Sequence, residues 1–388
     1  MWTLDPSITF LNHGSFGACP ASVLEEQGRW RARIEAEPVR FFMRELEPAM
    51  DEVRTCLGAF VGCDPEELVW VPNATTGVNT VLRSLKLGPG DELLTTDHAY
   101  NACANALEFD AQRSGARVVV AEIPFPLASP EQVTKALLGA VTARTRFALI
   151  DHITSPTGLI FPVHALVDAL HARGVAVMVD GAHGPGMVPL NLRGLGADWY
   201  TGNLHKWVCA PKGAAFLHVP RARQDALRPL VISHGANANR TDRSRFRIEF
   251  DWTGTTDPSA WLSVPAALGA LEKCESGGWP EVMKKNRALA LEARALLTGA
   301  LGVPNPAPDE MIGALVAIPL PGLARGRGAL PGSGALDPLQ DRLFKEHQIE
   351  VPVFAWPGAG KRVIRVSAQR YNRRADYERL ASALKQLA

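Results

Sequence analysis

The sequence predicts an α/β fold, in which a mostly parallel sheet covered by helices on both faces is followed by a smaller α+β region. Two patterns carry this. Short runs rich in Val, Leu and Ile are apolar on both faces, as strands sandwiched between helical layers must be, and helix-length segments separate them. The runs are Leu68-Val69-Trp70-Val71, Glu92-Leu93-Leu94, Arg117-Val118-Val119-Val120, Phe147-Ala148-Leu149-Ile150 and Val175-Ala176-Val177-Met178-Val179. Helices are expected over 77–86, 100–113 and 163–173, which gives the β-α-β alternation of a doubly wound domain.

Beyond residue 261 the pattern changes. A helix over 281–301, the apolar strand Ile312-Gly313-Ala314-Leu315-Val316-Ala317-Ile318, a helix over 339–347, strands over 349–354 and 362–367 and a last helix from 374 outline a small α+β unit. The breaker-dense segment 319–338 is expected to be a surface excursion or lid. We expect a large domain over 16–260 and a small one over 261–388 that includes residues 1–15.

Composition narrows the function. The 388 residues, 46% of them hydrophobic, suffice for a sizeable core. With 41 basic against 40 acidic residues, no net field favours nucleic acid or an anionic membrane, so a small-molecule partner is expected. Cys19, Cys56, Cys63, Cys103, Cys209 and Cys274 form neither a CxxC pair nor a zinc spacing, which points to free thiols, no metal and a reducing cytoplasm. No basic leader precedes an apolar stretch, and no apolar run nears the ~20 residues that span a bilayer.

Doubly wound sheets bind ligands at the carboxyl ends of parallel strands, so the polar residues after each run are the candidates. Val71-Pro72 leads into Asn73-Ala74-Thr75-Thr76-Gly77 and a helix, where small residues, hydroxyls and free N–H groups suit a phosphate; capping by Thr75 or Thr76 is the plainer use. The run 175–179 ends in Asp180, either a functional carboxylate or a cap on the turn Gly181-Ala182-His183-Gly184-Pro185-Gly186. Then comes Gly202-Asn203-Leu204-His205-Lys206-Trp207. A lone lysine is ordinarily a solvated charge, so its neighbours decide.

Thr75/Thr76, Asp180, His183, His205 and Lys206, in that order, resemble the class V aminotransferase family, enzymes of fold type I that depend on pyridoxal 5′-phosphate. The resemblance runs from about residue 11 to 380 and is strongest to the isopenicillin N epimerase group. It is carried by Leu11-Asn12-His13-Gly14-Ser15-Phe16-Gly17-Ala18-Cys19-Pro20, Thr96-Asp97-His98-Ala99-Tyr100-Asn101, Asp151-His152-Ile153-Thr154-Ser155-Pro156-Thr157-Gly158, Trp252-Thr253-Gly254-Thr255-Thr256-Asp257 and Ile364-Arg365-Val366-Ser367-Ala368-Gln369-Arg370-Tyr371-Asn372.

The resemblance implies a seven-stranded sheet and specific roles. Lys206 forms the imine with the cofactor and then serves as base at the substrate α carbon. Asp180 pairs with the pyridinium nitrogen and keeps the ring a good electron sink. His98 is ranked slightly ahead of nearby Tyr100 as the group that stacks on the cofactor. His183 bonds its phenolic oxygen or is simply a satisfied turn histidine, and Ser155 stands where relatives carry asparagine near that oxygen. Ala74, Thr75, Thr76, Asn203 and His205 hold the phosphate, and Thr255 reaches in from a second subunit, which implies a homodimer. Arg365 grips the substrate carboxylate with its planar fork, or is an ordinary strand-end arginine. Asn12 and His13 are placed at the substrate.

Fold does not choose among reactions of this class. Epimerisation, carbon–sulfur lyase action and transamination all fit. Cysteine desulfuration is disfavoured, because no cysteine follows Cys274 to supply a nucleophile from the small domain. Two other classes compete. A nucleotide-binding module lacks both GxGxxG and a P-loop, Pro357-Gly358-Ala359-Gly360-Lys361-Arg362 having the wrong spacing. A cofactor-free scaffold has no need for both Lys206 and Asp180.

Overall fold

The computed structural model describes residues 1–320, 336–356 and 361–387. Most of the 319–338 segment, with its expected lid role, and residues 357–360 of the 357–362 segment lie outside these residues. Twelve strands are present among them: β1 (Thr9–Phe10), β2 (Leu68–Val71), β3 (Glu92–Thr96), β4 (Arg117–Ala121), β5 (Thr145–Asp151), β6 (Ala176–Asp180), β7 (Trp199–Asn203), β8 (Ala215–His218), β9 (Leu315–Pro319), β10 (Ile349–Glu350), β11 (Val353–Ala355) and β12 (Arg362–Ser367).

Seven of them form one sheet in the order β2-β8-β7-β6-β5-β3-β4. Only β8 runs against the rest, pairing antiparallel with both β2 and β7. The sheet is apolar on both faces because each strand feeds two cores. On β6, Val177 and Val179 join one hydrophobic cluster while Met178 joins the other, and on β5 Ala148 and Ile150 divide from Phe147 and Leu149 in the same way. A strand read this way by sequence cannot alternate polar with apolar residues.

A second sheet, antiparallel in the order β11-β12-β9, follows, with Arg365 of β12 opposite Ala317 of β9. Residues 349–354 were expected as one strand. They divide at Pro352, which has no N–H to donate, so β10 pairs with the N-terminal β1 and β11 with β12. No helix among the described residues is long and apolar enough to cross a membrane.

Candidate active site

The same-direction strands β3, β5, β6 and β7 end on one side of the sheet, and a cavity of about 480 Å³ opens there. Its wall includes Asn73, Ala74, Thr75, Thr76, Tyr100, Ser155, Asp180, His183, Asn203, His205 and Lys206. Ten of the twelve residues expected at the cofactor are therefore brought together, Asn73 being an addition; His98 and Thr255 are not among them.

Lys206 stands at the centre. Its Nζ lies 3.1 Å from His183 Nε2. Burial, then the nearby Arg365 charge, lowers its amine to about 8. The Trp207 indole donates to His183 Nδ1 at 3.2 Å. An indole is only a donor, so Nδ1 carries the lone pair and Nε2 the hydrogen. Burial and the surrounding cations hold His183 well below its ordinary value, which keeps it neutral. The ring thus presents an N–H toward the lysine and toward any anionic oxygen beside it.

Asp180 is buried at the end of β6, accepting from the Ala182 N–H at 2.9 Å and from the Cys103 thiol at 3.3 Å. Burial raises its carboxyl above the usual carboxylate range. Asp151, its register partner on β5, is pushed well up by burial and by Asp180 itself. Two acids side by side in a buried pocket favour a cationic partner, which a protonated pyridine nitrogen supplies. The turn after Asp180 needs its glycine: a Cβ at Gly181 would come within 2.0 Å of the Tyr200 ring.

The opposite wall is the start of the helix Ala74–Ser84. Its cap is Asn73, whose Oδ1 accepts from the Thr76 N–H at 2.9 Å, and not either threonine. Asn203 Oδ1 accepts from the Ala74 N–H at 2.9 Å, tying β7 to the helix. The Thr75 N–H and hydroxyl have no partner among the described residues and line the cavity. A helix N-terminus with free donors is an anion site. His205 donates from Nδ1 to Ala214 O at 3.1 Å, leaving Nε2 available there.

His98 is placed elsewhere. Fully buried, it donates from Nε2 to Ile123 O at 3.1 Å and accepts at Nδ1 from Thr157 at 2.7 Å. Its ring is boxed by Phe125, Phe161 and Trp356, the last at 4.4 Å between centroids. Tyr100 reaches the cavity wall instead. The sequence ranked these two in the opposite order because it shows no side-chain direction.

Asn12 and His13 do not line the cavity either. The His13 Nε2 donates to Lys206 O at 3.0 Å and Nδ1 accepts from Tyr371 at 2.9 Å, so this histidine holds the lysine's backbone. Asn12 donates to Glu350 at 3.0 Å and accepts from Ser15 Oγ at 2.5 Å. Ser15 in turn accepts from Arg365 Nη2 at 3.0 Å, and Arg365 Nη1 donates to Ser155 O at 2.6 Å. Arg365 is 4% exposed, its Nε has no partner, and no carboxylate pairs with it among the described residues. An uncompensated buried guanidinium is costly, and an anion bound beside it would offset that cost. Ser15, Asp151 and Trp207 lie within segments singled out in the sequence and Cys103 among its cysteines, yet none was given a role there, because sequence alone does not show which side chains of a segment meet.

One cavity thus gathers, among the described residues, a buried lysine beside a histidine donor, a buried carboxylate at a strand end and a helix start with free N–H groups, with an unpaired buried arginine bonded to two of its wall residues. The chain belongs to the aminotransferase class-V family, which it matches over residues 18–325, and its cofactor is pyridoxal 5′-phosphate. It is 35% identical to isopenicillin N epimerase of Amycolatopsis lactamdurans, covering 100% of this chain and 96% of the relative. It is 32% identical to a probable L-cysteine desulfhydrase, chloroplastic, of Arabidopsis thaliana, covering 98% of this chain and 83% of the relative. Among solved structures, the cystine C-S lyase C-DES in complex with its product cysteine persulfide superposes with a TM-score of 0.78 at 20% identity, covering 98% of this chain and 97% of that one. The cysteine desulfurase CsdA of Escherichia coli gives 0.79 at 19% identity, covering 100% and 96%. At these identities the structural likeness speaks for the fold alone.

Proposed function

We propose that the protein acts at the α carbon of an amino acid or amino-acid-derived substrate by an isopenicillin N epimerase-like route, with Lys206 as the proton carrier. The observation that carries this is the buried Arg365, which lacks a carboxylate partner among the described residues and is bonded to Ser15 and Ser155 at the wall of the cavity that holds Lys206. Arg365 binds the substrate carboxylate. When bound, the cofactor supplies an electron sink that stabilises negative charge at the α carbon. Lys206 would hold it covalently, Asp180 would face its ring nitrogen, His183 would donate to its phenolic oxygen, and Ala74, Thr75, Thr76, Asn203 and His205 would hold its phosphate. Tyr100 would cover the ring. An amine near 8 is partly free at neutral pH, so Lys206 both accepts and returns a proton.

The active species is a homodimer in this reading. Thr255 is exposed outside its own chain's cavity and would contribute to the phosphate site of the partner. A carbon–sulfur lyase reaction is the second reading: Lys206 is the single amine lining the cavity among the described residues, and loss of a β substituent needs one base where epimerisation needs an acid or base on each face. Desulfurase action stays disfavoured. Cys103 touches Asp180, but burial pushes its thiol well above its ordinary value, the wrong direction for a nucleophile.

The test is to incubate the loaded enzyme with a panel of amino acids in deuterated water. Exchange of the α proton with retention of the amino acid supports proton transfer, with inversion marking epimerisation. Release of pyruvate and ammonia from cysteine derivatives supports the lyase reading. Absence of exchange and of any product across the panel contradicts both.

A further inference from the structure

A second cavity of about 560 Å³ adjoins the first, and Ser15, Tyr100 and Ser155 line both. Arg365 stands in its wall, bonded to both serines. Its remaining wall comes from both sheets and from the helix Asn101–Ser114, which contributes Asn101 and Glu108. Val118 and Val120 of the edge strand β4, two residues apart and so on one face, look toward Pro352, Phe354 and Trp356 from the small-sheet side. Val120 is 49% exposed, an apolar side chain on an edge that soluble proteins usually blunt with charge. The carboxylates in this wall are Asp97 and Glu108, and Arg365 is its only cation among the described residues.

From this geometry we infer that the substrate is an amino acid with a long or aromatic, largely apolar side chain that bears no distal carboxylate, the side chain lying in this second chamber. The inference rests on the reading of Lys206 and Arg365 given above. A carboxylate held by Arg365 sits at the junction of the two cavities, so the α carbon faces Lys206 and the side chain has the chamber as its outlet. At about 30 Å³ per non-hydrogen atom the chamber has room for roughly twenty, where the two side-chain heavy atoms of cysteine leave most of it unfilled. Apolar walls reward each methylene that reaches them. Asp97 and Glu108 repel a distal anion, and the one cation is already committed to the α carboxylate.

The enzyme loaded with pyridoxal 5′-phosphate is titrated with L-alanine, L-norleucine, L-phenylalanine and L-α-aminoadipate, following the change in cofactor absorbance as each amino acid displaces Lys206. Norleucine and phenylalanine should bind at least about tenfold tighter than alanine, and aminoadipate at least about tenfold weaker than norleucine. In Val120→Trp, which narrows the chamber from its exposed edge, the norleucine-to-alanine ratio should fall about fivefold or more. Equal affinity for alanine and norleucine, preference for aminoadipate, or a ratio untouched by Val120→Trp overturns the chamber assignment while leaving the cofactor site intact. A protein that takes up no cofactor and shows no visible absorbance overturns both.

Discussion

Replacing Arg365 with lysine probes the substrate site most sharply. The guanidinium spends Nη1 on Ser155, at 2.6 Å to O and 3.2 Å to Oγ, and Nη2 on Ser15 Oγ at 3.0 Å, while Nε is bare. A planar fork can keep the serine contacts and still present two parallel donors to a carboxylate; an ammonium on a flexible stem cannot do both. Charge-assisted hydrogen bonds contribute ~1.5–3 kcal/mol each, so losing one or both costs about 2–5 kcal/mol of binding. That is about 30-fold to a few thousandfold in affinity. The assay compares L-alanine with ethylamine, which is alanine without its carboxylate, by the cofactor absorbance change in the parent and in Arg365→Lys. Alanine should weaken by the stated factor and ethylamine by less than about threefold. If alanine weakens less than about tenfold, or ethylamine weakens in parallel, Arg365 does not bind the carboxylate.

Three further outcomes follow from the same geometry. Only a neutral amine can bond an aldehyde, and Lys206 is cationic below and neutral above about 8, so cofactor uptake by the empty protein should accelerate about tenfold per pH unit up to that value and then level off; a profile flat from about pH 6 to pH 9 contradicts this. Asp180→Asn should retain the cofactor through the separate phosphate cradle yet lower turnover by about a hundredfold or more, and turnover within about tenfold of the parent would remove Asp180 from its role. At Gly17, φ is 71° and a Cβ would lie 2.1 Å from His205 O, so Gly17→Ala should lower unfolding stability by about 2 kcal/mol or more in denaturant titration; unchanged stability would show that the loop carrying Lys206 yields freely.

The large sheet was legible in the sequence where strands are buried on both faces. The runs beginning at Leu68, Glu92, Arg117, Phe147 and Val175 all fall on β2 to β6, with ends shifted by a residue or two. Trp199–Asn203 and Ala215–His218 were not read as strands. The first, with Thr201, Gly202 and Asn203, looks like a polar turn, and only its burial between β6 and β8 makes it a strand. The same limit applies at the site. Lys206, Asp180, His183 and the 74–76 segment stand at strand ends or a helix start, positions fixed by chain topology alone, and all line the cavity. His98, Asn12 and His13 depend on where a side chain points. Their ring nitrogens and amide are consumed by Ile123, Thr157, Glu350, Lys206 and Tyr371, partners distant in sequence. Arg365 was recognisable only through its whole segment, because nothing local distinguishes a buried, unpaired arginine from a solvated one.

The most direct measurement is the visible absorbance spectrum of the purified protein with added pyridoxal 5′-phosphate, before and after borohydride, beside Lys206→Ala. The parent should be yellow, its colour reduced by borohydride to a stable adduct on Lys206 found by peptide mass mapping, and the variant should form no such adduct. A parent that stays colourless, or an adduct that survives in Lys206→Ala on another lysine, would contradict it.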